Sequence, residues 1–186
     1  MKLLYLRKKN PKIYVSFYFV SAVTLLLFFE SYINAALSIL VHEAGHLFCM
    51  YMLKNYPYEI KFHLFGIDIK KRKSAGYLSD ALISLSGPIF NIIFFLFGFK
   101  ESLVLGIIHL LPIYSLDGGR ALFMFLAKFI GINKAEAAVF TLSYIILVPL
   151  TFLGFSVLFY SKNNFTLLLL CVYLMLSLIL KNADDF

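Results

Sequence analysis

A chain of 186 residues that is 61% hydrophobic and only 15% charged departs from soluble domains, which carry about 25% charged residues, and reads as a polytopic membrane protein. Its net charge of +7 would suit a nucleic-acid partner, but the basic residues sit beside apolar runs and no polar domain exists to carry a groove. That reading is set aside. Two cysteines, Cys49 and Cys171, lie in different apolar runs, so no disulfide framework is indicated.

In chain order, Met1 to Lys12 is basic and leads into the apolar run Ile13–Phe29. The run is long for a signal-peptide core, and no small-residue cleavage site with a polar mature domain follows, so an uncleaved first span is expected. Apolar stretches of about 17–25 residues reach across a bilayer. Ile33–Leu53 supplies the second, Leu78–Phe99 the third, Ala137–Tyr160 the fifth and Phe165–Leu180 the sixth. The fourth is interrupted. Ser102–Leu111 is apolar, Pro112, Asp117, Gly118, Gly119 and Arg120 intrude, and Ala121–Ile130 is apolar again. Pro and paired Gly break a helix, and irregular backbone at membrane depth survives only when buried in protein or lining a wet cavity.

The fold class that follows is an all-α polytopic membrane protein with about six transmembrane helices, the fourth broken near Pro112–Gly119. Lys54–Tyr77 is the one sizeable loop. Within it Glu59–Lys70 alternates polar and apolar residues with Gly66 at the midpoint, the pattern of a short β-hairpin. Such a segment either pairs with an unwound peptide by β-addition or packs on the membrane surface. With Met1–Lys12 inside, all of the 17 Lys and Arg residues except Lys100 and Lys162 fall on the inner side. The positive-inside rule then places both termini in the cytosol.

The chemistry-bearing string is His42-Glu43-Ala44-Gly45-His46, an H-E-x-x-H pattern inside the second span. On a helix His42 and His46 lie one turn apart on one face, the spacing that binds zinc, with Glu43 beside them as general base. An ionised group there costs roughly 2.5–3.5 kcal/mol even on the lenient insertion scale, so three ionisable residues on one apolar helix need a functional reason. The plain alternative is that they only hydrogen-bond to neighbouring spans. His46 precedes Lys54 by eight residues, which puts it about 12 Å below the cytosolic end of the helix.

Two His leave a catalytic zinc short of its third protein ligand. Asp117 is the best candidate, a carboxylate in the broken span followed by Gly118 and Gly119, which free the backbone to present it; pairing with Arg120 is compatible with that role. Cys49, one turn beyond His46, is within reach of a metal but reads better as a packed apolar residue. His63 reads as a surface or hairpin residue. Gly87 and Pro88 permit close helix packing, and Asn91, one turn on, reaches either the active-site helix or a substrate backbone.

HEAGH in the second span, SGPIFN at Ser86–Asn91 in the third and LPIYSLDGGR at Leu111–Arg120 in the broken span resemble, in order, the motifs of the site-2 protease family of intramembrane zinc metalloproteases. The resemblance implies zinc bound by His42, His46 and Asp117, with Glu43 activating the attacking water. It also implies a single integral-membrane metalloprotease domain, residues 1–186 with a catalytic core at about 32–131, without room for a PDZ or nucleotide-sensing domain. The compact layout is most like the branch typified by stage IV sporulation protein FB, which cleaves a membrane-bound sigma-factor precursor in bacteria. Where the family carries a substrate-positioning Asn ahead of the broken span's proline, this chain has His109, which takes that role, serves as a nearby proton donor, or simply packs.

The implied reaction is hydrolysis of a peptide bond within or beside the transmembrane helix of a membrane-protein substrate, in regulated intramembrane proteolysis. The implied partners are that substrate, the lipid bilayer and a membrane regulatory protein, and the implied place is the bacterial cell membrane. Two rival classes use the same cluster. A metal transporter calls for polar residues strung across the bilayer, whereas here they gather at one depth. An inactive membrane scaffold has no use for Glu43.

Overall fold

A computed structural model describes residues 11–16, 33–63, 66–71, 76–161 and 164–184. Among the described residues nine elements follow in chain order: β1 (Lys12–Val15), α1 (Ile33–Met52), β2 (Pro57–His63), β3 (Gly66–Lys71), α2 (Tyr77–Phe95), α3 (Lys100–Leu110), α4 (Asp117–Ile130), α5 (Ile132–Ser161) and α6 (Thr166–Asp184). Helices α1, α2 and α5 are each long and apolar enough to cross a membrane. α2 is the central post, packing against α1, α3 and α4, while α5 packs between α4 and α6.

Expectation and structure differ at the N-terminus. Lys12–Val15 is not the start of a span but a strand, parallel to β2 in the register Lys12↔Glu59 to Val15↔Phe62. The β-branched and aromatic run Ile13-Tyr14-Val15 suits an extended edge, and β2 supplies the backbone partners. The remainder of the expected first span, from residue 17, lies outside the described residues. β2 and β3 form the expected hairpin, antiparallel from Pro57↔Lys71 to His63↔Gly66, so the sheet is three-stranded with order β1-β2-β3. Gly66 opens β3 rather than forming the turn; His63 ends β2 directly across from it.

α1 ends in a Schellman arrangement. Lys54 N–H donates to the Tyr51 carbonyl at 3.1 Å and Asn55 N–H to the Met50 carbonyl at 2.9 Å, with Lys54 itself at φ 55°. The left-handed position normally belongs to glycine. α2 stops at Phe95, short of the expected Phe99, where Gly98 at φ 99° turns the chain into α3.

The fourth span is broken as expected, but the break is shorter and its glycines have a different role. α3 stops at Leu110, because Pro112 pushes Leu111 into an extended conformation (φ −58°, ψ 136°). Residues 111–116 are irregular, and the helix resumes at Asp117 itself. Gly118 and Gly119 are therefore in the first turn of α4. They do not free the backbone; they let it approach closely. A Cβ at Gly118 would strike the Leu110 and Leu111 carbonyls, and one at Gly119 would strike the carbonyl of Ile113.

The irregular segment is buried in protein, as non-helical backbone at membrane depth requires. Ile113, Tyr114 and Leu116 belong to the same core as Val139 and Leu147 of α5 and Leu174 and Leu178 of α6. Tyr114 anchors it three ways. Its N–H donates to Ser143 Oγ at 2.9 Å, its hydroxyl donates to Glu136 Oε1 at 3.0 Å, and its ring stacks on Phe140 with centroids 4.4 Å apart. Thus α5, which carries none of the expected site residues, holds the loop that delivers Asp117. α5 starts at Ile132 rather than Ala137, since Gly131 (φ 83°) already separates it from α4.

Candidate metal centre

Helical spacing sets the first pair of donors. His42 and His46 are both buried on α1, with ring centroids 4.8 Å apart and nearly perpendicular. Their Nε2 atoms are 3.2 Å apart. Gly87 of α2 makes room for them: a Cβ there would overlap the His46 ring and come within 2.9 Å of His42 Cε1. His46 is held by its other nitrogen, Nδ1–H donating to the Ile83 carbonyl at 2.7 Å. That acceptor has no proton to give, so in the neutral ring it is the Nε2 lone pair of His46 that faces the centre.

Asp117, first residue of α4, brings its Oδ2 to 2.9 Å from His42 Nε2 and 3.5 Å from His46 Nε2. A carboxylate at a helix N-terminus also faces the positive end of the macrodipole. Asp117 turns toward imidazoles rather than toward Arg120, which is exposed. A zinc ion with bonds of about 2.0–2.1 Å in tetrahedral geometry spaces its ligands about 3.3 Å apart. The three separations here, 2.9, 3.2 and 3.5 Å, bracket that value, so the donor set fits such an ion in type and spacing.

Asp117 has a third imidazole partner. His109, from the last turn of α3, places Nδ1 2.7 Å from the same Oδ2 and its ring centroid 4.2 Å from that of His42. His42, His109 and Asp117 thereby form a second donor group overlapping the first. The 2.7 Å separation of His109 Nδ1 and Asp117 Oδ2 is a hydrogen-bond distance, the shortest of the separations around this carboxylate oxygen.

Glu43 is half-buried on α1, within electrostatic range of His46, Asp117, His109 and Arg120. Cys49 is a free, half-buried thiol. Asn91 is fully buried and meets His42 rather than a surface, its side-chain amide 3.0 Å from His42 Nδ1. Behind it stands Ser102 of α3, also fully buried, with Oγ 3.1 Å from Asn91 Oδ1. Ser102 went unread in the sequence as a lone serine in an apolar run. Its only sequence signal is the small pair Ser102 and Gly106, one helical turn apart, which marks a close-packing face.

No protein-family model and no curated protein matches the sequence. A solved structure does match the fold: the site-2 protease from Methanocaldococcus jannaschii superposes with a TM-score of 0.58 at 18% identity, over 89% of this chain and 88% of that one. The fold is a site-2 protease fold. At that identity the likeness speaks for architecture. The chain is thus a helical membrane protein of that fold, with buried donors able to hold a metal ion.

Proposed function

We propose that this protein is an intramembrane zinc metalloendopeptidase that hydrolyses a peptide bond within or beside a transmembrane segment of another membrane protein. One observation carries the reading: His42 Nε2, His46 Nε2 and Asp117 Oδ2 lie within 3.5 Å of one another, buried among apolar helices where isolated ionisable groups are costly. Glu43, on the same helix and partly exposed, is the general base. The domain is a single unit, residues 1–186 with its core at about 32–131, and both termini face the cytosol.

His42, His46 and Asp117 would hold the zinc ion, which when bound supplies a Lewis acid for the scissile carbonyl and lowers the pKa of water. The protein's residues do the rest. Glu43 takes a proton from the attacking water and returns it to the leaving amine. His109 keeps Asp117 oriented by donating to Oδ2. Glu43 and His109 are the partly exposed members of the site, so water and substrate approach from their side. Substrate must arrive unwound, since helical hydrogen bonds shield its carbonyls, and an edge of the β1-β2-β3 sheet offers it backbone partners. The compact layout supports a bacterial cell-membrane enzyme of the sporulation type, acting on a membrane-bound sigma-factor precursor or similar transcription factor under a membrane regulatory partner.

The test is cleavage of a single-span substrate in proteoliposomes. Wild type cuts in or beside the span, and Glu43→Gln loses about 10²–10⁴-fold in rate, the range for a general base, while still binding zinc. Unchanged cleavage by Glu43→Gln would overturn the mechanism. Zinc uptake into wild-type vesicles without cleavage would mark a transporter, and zinc binding with neither activity a scaffold.

A further inference from the structure

The face of α4 that carries Asp117 continues beyond the donor set. At 3.6 residues per turn, Asp117, Arg120, Met124 and Lys128 fall within about 80° of one another around the helix. The side of α4 that meets His42 and His46 of α1 therefore also bears Arg120 and Lys128. α1 packs against α2 and α3, and α4 against α2, α3 and α5, so α1 and α4 meet at the donors without packing along their lengths. Arg120 and Lys128 are exposed, with Met124 half-buried between them. Among the described residues neither cation makes an ion pair. Lys128 Nζ lies 5.4 Å from the ring centroid of its neighbour Phe129, and Arg120 is within electrostatic range of Glu43.

An ionised side chain at membrane depth pairs with an opposite charge or lines a wet path for a substrate. A lipid headgroup reaches Lys128, in the last turn of α4, but not Arg120, which is one turn from Asp117. Whatever reaches Arg120 also reaches the donor set, and that is the substrate. Along the axis Arg120 is about 4.5 Å and Lys128 about 16 Å beyond Asp117, and an unwound peptide advances about 3.3 Å per residue. Arg120 is thus level with the first or second residue from the scissile bond, and Lys128 with about the fifth. Membrane proteins ordinarily carry Lys and Arg beside the cytosolic ends of their spans. Two unpaired cations repel such flanks and attract the uncommon acidic ones, which is specificity built as much on repulsion as on attraction.

We infer that Arg120 and Lys128 are specificity-determining residues, selecting substrates that carry acidic side chains at those two positions on the cytosolic side of the cut. The inference rests on the metalloprotease reading and its cytosolic orientation, and the experiment separates the two.

The probe is a single-span substrate whose cut is mapped by mass spectrometry, made with Asp, Asn or Lys at each of the two positions. Cleavage is followed with the full chain in phosphatidylcholine vesicles, and again in vesicles containing phosphatidylglycerol. Wild type should prefer Asp over Asn and Asn over Lys, each step changing kcat/KM by about two- to fivefold, the range of an exposed ion pair. The change should fall on KM, because a contact remote from the reacting atoms acts on ground and transition states alike. Arg120→Gln should abolish the preference at the nearer position and Arg120→Glu should invert it. Lys128→Glu should invert only the farther one, and it tests the track even where Arg120→Glu fails to fold. Each variant is compared across substrates, so a smaller folded fraction lowers all rates together and leaves their ratios unchanged. The inference is overturned if wild type cuts the three substrates equally, if the charge-reversed variants keep the wild-type order, or if the preference appears only with phosphatidylglycerol, which would make the cations headgroup anchors. Failure of wild type to cut any substrate would instead overturn the metalloprotease reading.

Discussion

At the scale of single residues, the centre is built from imidazoles whose roles are assigned by what lies on their far side. A backbone carbonyl behind His46, an amide behind His42 and the shared carboxylate beside His109 give three histidines three different partners. The spacing of His42 and His46 made their shared helix face legible in the sequence. What His109 touches was not, because it is eight residues from Asp117 across a break of irregular backbone, where no periodicity applies. Since His109 donates to the oxygen of Asp117 that faces the metal position, His109→Ala should weaken zinc binding about tenfold. His109→Asn, which keeps a donor, should stay within a few-fold of wild type. Chelator competition on the purified variants measures both.

At the scale of elements, the break between α3 and α4 is the part on which the site depends, and its support comes from α5. Pro112 explained why a helix stops there, yet nothing in the sequence tied Tyr114 to Ser143 or Glu136, which follow it by 29 and 22 residues. The paired glycines likewise invited a reading of flexibility, whereas the structure uses them for contact between α4 and the carbonyls of Leu110 and Ile113. Because the Tyr114 N–H is buried, Ser143→Ala removes its hydroxyl acceptor and should cost about 1–3 kcal/mol of stability. Thermal or denaturant unfolding in detergent reads that loss. Cleavage should fall with it, since the same loop sets the position of Asp117.

For the whole molecule, helices too apolar for water surround a small polar centre assembled from α1, α2, α3 and α4. Metal bound there joins α1 to α4 and stabilises only the folded arrangement, so stability should follow zinc. At free zinc one hundred times the dissociation constant the gain is about 2.7 kcal/mol. A melting-temperature rise on adding zinc to metal-stripped protein, absent in Asp117→Ala, is the expected result; equal melting with and without zinc would remove the metal from the description.

By itself the sequence determined the membrane class, the apolar runs that became α1, α2, α5 and α6, the interruption at Pro112, the β2-β3 hairpin and the one-turn spacing of His42 and His46. All of these are local, being fixed by composition and period within one segment. Only the tertiary structure decided that Lys12–Val15 pairs with β2, that α5 holds the irregular loop, and that Ser102 backs Asn91 behind His42. These are contacts between segments distant in the chain, made by backbone hydrogen bonds and small buried polar groups. Such groups leave no periodic trace, because their partners are chosen by packing rather than by neighbouring residues.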